Sequence, residues 1–127
     1  MSQVHPLTRI ETVLMIGIGG FAGSNLRYFV ELTVPSTLGA TLAVNVIGSF
    51  ALGVLLYEAL YSGAFSDQAG TVFGTGFLSS FTTYSMFVFD LFTSAPPLAL
   101  AYLGASYLLG FLGVLAGQAV ARRLEAI

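Results

Sequence analysis

Cysteine and lysine are absent from the 127 residues, and charge of either sign is scarce. Without cysteine there is no disulfide, no thiolate chemistry and no Cys-ligated metal site. Four basic and six acidic side chains make up 8% of the chain, against roughly 25% in a soluble domain. So few charges cannot clothe a water-facing surface. With 56% hydrophobic residues, the composition specifies an integral membrane protein of one all-α domain at most. The net charge of −2 and the scatter of the acids leave no basic footprint for nucleic acid. The lack of lysine hints at a salt-loving source. One histidine, His5, lies in a polar lead from Met1 to Glu11 that reads as aqueous.

What the chain does have is long charge-free runs. About twenty apolar residues are needed to cross a bilayer, and four stretches qualify, at about 12–30, 38–57, 69–92 and 98–121. The first is no cleaved signal peptide, because the apolar run continues past Arg27 through Tyr28-Phe29-Val30 and three longer runs follow. Pro35-Ser36, Ser62–Asp67 and Ser94-Ala95-Pro96-Pro97 are the expected connections. Four crossings put both termini on one side. Arg9, Arg122 and Arg123 then face Arg27 across the membrane, a weak bias toward cytoplasmic termini. Gly19/Gly23 and Gly113/Gly117 are small-xxx-small pairs, suited to close helix approach in lipid.

The third run breaks the pattern. Leu78-Ser79-Ser80-Phe81-Thr82-Thr83-Tyr84-Ser85 carries five Ser and Thr hydroxyls and a tyrosine at mid-span. Such side chains bond the local backbone and disfavour a helix interior. Irregular backbone at membrane depth is tolerated only in protein or along a cavity. An interrupted helix is therefore expected here, and with it the seat of function. Carbonyls freed by an interruption can hold a small cation such as Na⁺, or Ser and Thr side chains can satisfy them. Asn45, mid-way along the second run, either bridges helices or offers its NH₂ to an anion. Phe77, Phe81 and Tyr84 share a face if the helix is continuous, packing as core or turning electropositive ring edges to a path. Tyr102 and Ser106 form an i, i+4 polar ridge on the fourth run. Arg27 either snorkels to headgroups or draws anions into a mouth. Glu58 and Asp90 read as interfacial. No mid-span acid, His pair or nucleophile–base set is found, which argues against an enzyme and against a proton-coupled pump.

Together these pieces resemble the Fluc/CrcB family of fluoride channels. Gly19–Tyr28 is similar to its first-helix signature ending in Arg, Gly39–Phe50 to its second with a central Asn, and Gly76–Phe87 to its third-helix motif GF-x-GG-x-TTFSTF. The resemblance covers all four runs, about Gly19 to Gly117. It implies a multi-pass cell-membrane protein that exports fluoride passively, as an antiparallel dimer of four-helix subunits with two narrow fluoride paths. It also implies a structural Na⁺ at the dimer centre, held by backbone carbonyls matching Ser79 and Thr82. The implied fluoride path matches Asn45, Tyr84, Phe87, Tyr102 and Ser106, with Thr83 a further hydroxyl donor, and Arg27 matches the vestibule arginine.

Five positions depart from the pattern. Ser79-Ser80 replaces Gly-Gly, Tyr84 replaces the first aromatic-box Phe, Met86 stands where Thr is common, and Asp90 stands where a Glu is usual. Such drift fits one half of a heterodimer with a paralogue as well as a homodimer. A small multidrug-resistance-type exporter would need an acid mid-way along the first helix, and Thr12 to Leu26 has none. A packing subunit without transport would not need Asn45 together with the hydroxyl cluster.

Overall fold

The computed structural model describes residues 5–63 and 65–126. Helix α1 runs over Pro6–Thr33, α2 over Thr37–Tyr57 with a π-helical turn, Glu58–Ser62, continuing it. A third limb follows, built from α3 (Asp67–Gly70), a π-helical stretch (Thr71–Leu78), α4 (Ser79–Phe81) and α5 (Tyr84–Thr93). Helix α6 spans Pro96–Glu125. No strand occurs among the described residues.

Local chemistry sets these ends. Pro6 and Pro96 sit in first turns, where the missing N–H has no intrahelical partner to lose. Both helices therefore begin ahead of the charge-free runs, and the polar lead, expected as aqueous, is helical from Pro6. His5 Nδ1 accepts the Leu7 N–H at 3.2 Å, and Ser36 Oγ accepts that of Gly39 at 3.0 Å. The turn after Ser62 rests on Gly63, whose φ of 66° is left-handed. Ala64, in the expected Ser62–Asp67 loop, lies outside the described residues.

Helices α1, Thr37–Ser62 and α6 are each long and apolar enough to cross a membrane. The chain is accordingly inside out relative to a soluble protein. Its outer face carries bulky apolar groups such as Phe21, Phe92 and Leu100, while Thr41, Thr83 and Asp90 are buried. Hydrocarbon as solvent rewards this arrangement, since backbone polar groups must be satisfied internally.

Glycines join the elements in two pairs. α1 lies against the π-helical stretch and α4. A Cβ on Gly19 would sit 2.7 Å from the Val72 carbonyl oxygen, and one on Gly23 would strike the Phe77 carbonyl. α2 lies against α6, where a Cβ on Gly117 would strike the Phe50 carbonyl and one on Gly53 that of Val114. Backbone cannot retreat as a side-chain tip can, so Gly117→Ala should destabilise by about 1–3 kcal/mol. Gly17, with nothing within 4 Å of its would-be Cβ, should accept alanine without loss. Thermal unfolding of the two variants in detergent compares them directly.

Candidate functional site

The third limb changes partner where it is interrupted. Up to Phe81 it rests on α1; from Tyr84 it rests on α2 and α6. Between them, Thr82 (φ −81°, ψ 163°) and Thr83 (φ −149°, ψ 120°) are extended. Any L-residue adopts these angles, and Ser79 keeps an ordinary helical φ of −65°. The two serines in place of Gly-Gly thus meet no glycine-only conformation. Ser79 Oγ donates to the Thr75 carbonyl, and Ser80 Oγ packs 3.1 Å from where a Cβ on Gly20 would lie.

Asn45 clasps the interruption. The Thr83 N–H donates to Asn45 Oδ1 at 2.8 Å, and Asn45 Nδ2 donates to the Thr83 carbonyl at 3.0 Å. Only one orientation of the amide satisfies both bonds, which fixes where its oxygen and nitrogen lie. Of the two sequence alternatives for Asn45, bridging is therefore realised, and one N–H of the amide remains for a guest. Ser49 Oγ in turn donates to the Asn45 carbonyl at 2.8 Å. Thr83 Oγ1 accepts the Met86 N–H at 3.2 Å and lies 3.4 Å from Ser85 Oγ.

These bonds leave two carbonyls bare. In a continuous helix the Thr83 amide would bond the Ser79 carbonyl and the Met86 amide that of Thr82. The first amide goes to Asn45 and the second to Thr83 Oγ1. Among the described residues no other backbone amide replaces either. No group of three His, Asp or Glu side chains gathers among the described residues. Backbone carbonyl oxygens, like the Ser and Thr hydroxyls beside them, are hard oxygen donors.

A cleft of about 440 Å³ opens on the interruption. Its walls include Asn45, Ser79, Thr82 and Thr83 together with Tyr84, Phe87 and Ser106. Ser106 Oγ is buried without a hydrogen-bond partner among the described residues, so its hydroxyl is available to a guest. Phe87 is the aromatic hub. Its ring lies 5.9 Å from Tyr84, 5.4 Å from Tyr102 and, edge on, 6.1 Å from Tyr107. The proposed i, i+4, i+7 face is divided instead, because helix geometry fails at Thr82. Phe77 and Phe81 stack on each other at 5.9 Å, and Tyr84 turns to Phe87.

Three sequence-selected residues stand apart from the cleft wall or differ from expectation. Tyr102 is buried behind Phe87, with its hydroxyl donating to Asp90 Oδ2 at 3.3 Å. Asp90, read as interfacial, is 1% exposed; the bundle closes over it, and the Tyr102 hydroxyl takes the place of water. Arg27 is not in the cleft wall, and its Nε lies 3.8 Å from Glu31 Oε1, one turn along α1. Sequence reasoning missed Tyr107 and the pairing of Asp90 with Tyr102. Asp90 lies next to a Ser-Ala-Pro-Pro turn, as an interfacial acid would, and nothing local announces Tyr102 as its partner. Tyr107 adjoins Ser106 but falls off the i, i+4 ridge.

Fold and site together define a multi-pass all-α membrane protein whose polar groups converge on an interrupted helix rather than on acid–base or nucleophilic machinery. The model of the CrcB-like protein, Camphor Resistance (CrcB), family matches residues 14–118. The chain belongs to the CrcB family. It is 53% identical to a fluoride-specific ion channel, FluC 1, of Haloarcula marismortui, over 96% of this chain and 94% of that one. It is 45% identical to FluC 2 of Halobacterium salinarum over 87% of each chain, and 37% identical to FluC 2 of Methanosarcina mazei over 95% of each. The family is one of ion channels and not of enzymes, and the multidrug-exporter alternative falls with that assignment.

Proposed function

We propose that this chain is a fluoride channel, and that its cleft is half of a narrow anion path completed by a second, oppositely oriented copy. The carrying observation is the meeting, at one cleft, of the remaining Asn45 N–H, the unpartnered Ser106 hydroxyl and the rings around Phe87. Fluoride is small and strongly hydrated, so a path must replace water with donors. Asn45 and Ser106 supply N–H and O–H donors, and Thr83 adds a hydroxyl whose proton is not needed by Met86. Ring edges of Tyr84 and Phe87, electropositive by their quadrupole, line the way between. Tyr102 stands behind Phe87 and steadies it. Larger halides gain less from the same donors and fit the width less well. Arg27 serves a vestibule, where its charge draws anions toward the entrance.

The residues around the interruption fit a Na⁺ ion. The bare carbonyls of Ser79 and Thr82 are hard, uncharged oxygens of the kind that hold Na⁺ at unwound helices. Two copies would offer four. When bound, the cation supplies fixed positive charge that offsets the cost of an anion in low dielectric. Transport is passive and runs outward whenever cytoplasmic fluoride exceeds that outside.

A homodimer is the simplest assembly. A pair of unlike chains is the second reading, favoured by the occurrence of two relatives, FluC 2 and FluC 3, in Methanosarcina barkeri alone. Liposomes loaded with fluoride or chloride, holding the purified chain alone, are expected to release fluoride rapidly and retain chloride, as read by ion-selective electrodes. Release only after a paralogue is added would select the unlike pair. Equal release of both halides would overturn the proposal, and so would no release with either preparation.

A further inference from the structure

Building on the Na⁺ reading above, we infer that Asn45 and Thr83 are positioning residues for the cation, acting through the two backbone amides they capture. A buried backbone N–H takes an acceptor wherever one is in reach. Thr83 lies five positions after Leu78, and the Thr82 N–H still bonds the Leu78 carbonyl at 3.0 Å as in a regular helix. The next amide, that of Thr83, is the first to leave the ladder, and it leaves toward Asn45 Oδ1. Without that oxygen, the nearest conventional acceptor for the Thr83 N–H is the Ser79 carbonyl, one helical turn back. α4 would gain a residue, and the carbonyl needed by the cation would be occupied.

Thr83 Oγ1 does the same for the second carbonyl. As N-cap of α5 it accepts the Met86 N–H, which would otherwise seek the Thr82 carbonyl. Thr82 Oγ1 donates back to the Leu78 carbonyl at 2.9 Å, so it engages neither freed oxygen. Two side chains, one from α2 and one from the interruption itself, thus hold open two carbonyls three residues apart. Asn45 meets both the anion and, through Thr83, the cation. The two contacts use different atoms, Nδ2 for the anion and Oδ1 for the captured amide.

That division gives substitutions with opposite expectations. Asn45→Asp keeps an oxygen for the Thr83 N–H in either protonation state. Asn45→Leu keeps the size and removes the acceptor. Thr83→Ser keeps the cap and Thr83→Val removes it. The readout is the thermal midpoint of the purified chain in detergent, titrated with Na⁺ against N-methylglucamine at constant ionic strength. Helical content by circular dichroism serves as the check on folding. The half-saturating Na⁺ concentration is expected to rise at least tenfold in Asn45→Leu and in Thr83→Val. It should stay within about threefold of the unsubstituted chain in Asn45→Asp and Thr83→Ser. A purely anion-contacting Asn45 predicts no change for Asn45→Leu, and that result would overturn the inference. If Asn45→Leu does not fold, the Thr83 pair decides alone, and equal Na⁺ dependence in Thr83→Val and Thr83→Ser would overturn it. An unsubstituted chain whose stability ignores Na⁺ altogether would instead remove the Na⁺ reading on which the inference stands.

Discussion

Asn45→Asp should cut fluoride efflux from liposomes by at least a hundredfold while leaving the chain folded. An ionised carboxylate at this position donates nothing, whereas the amide has an N–H to offer beyond the one on Thr83. It also repels the ion it should receive. Two like charges about 4 Å apart cost about 4 kcal/mol at an effective dielectric of 20, enough for a reduction of about a thousandfold. The volume hardly changes, and one oxygen still meets the Thr83 amide, so a global collapse is not expected. Circular dichroism and size-exclusion profiles should match those of the unsubstituted chain. Undiminished efflux from a folded Asn45→Asp channel would remove Asn45 from the anion path.

Phe87→Ala should be the most damaging single truncation in the aromatic cluster. Phe87 is buried, and Tyr84, Tyr102 and Tyr107 all reach its ring. Removing a buried Phe ring costs about 3–5 kcal/mol, and three tyrosines would lose their common neighbour. The gap would also widen one wall of the cleft. Fluoride flux should fall at least tenfold, and whatever flux remains should discriminate less well against chloride. Paired electrode measurements of the two halides test this. The same change at Phe92, 86% exposed on the outer face, should affect neither stability nor flux.

Hydropathy made the three long helices legible because crossing hydrocarbon needs about twenty apolar residues whatever the fold. The glycine pairs were legible for a related reason. A small side chain on a lipid-soluble helix has few uses besides close approach, and Gly23 and Gly117 each lie against a neighbour's carbonyl. The cleft residues were found through chemistry out of place, as hydroxyls and an amide at mid-span. What could not be read was pairing between elements. Asn45 and Thr83 are 38 positions apart, and no local pattern states that one amide closes on the other. The burial of Asp90 was hidden for the same reason, since its partner Tyr102 arrives from the next helix. Two helices start earlier than expected, α1 because the charged lead up to Glu11 was set apart from it and α6 because Pro96-Pro97 read as a turn, although in a first turn proline is at home.

The change of partner along the third limb has a mechanical consequence. α1 packs mainly on the limb up to Phe81, whereas from Tyr84 onward the limb packs on α2 and α6. Thr82 and Thr83 are the link at which the limb changes partner, and the two bonds to Asn45 tie that link to α2. A hydrogen-bonded latch satisfied at both ends resists rocking. If the proposed anion path runs beside this link, its bore should be held fixed, and selectivity should then be set by its walls and not by a moving gate.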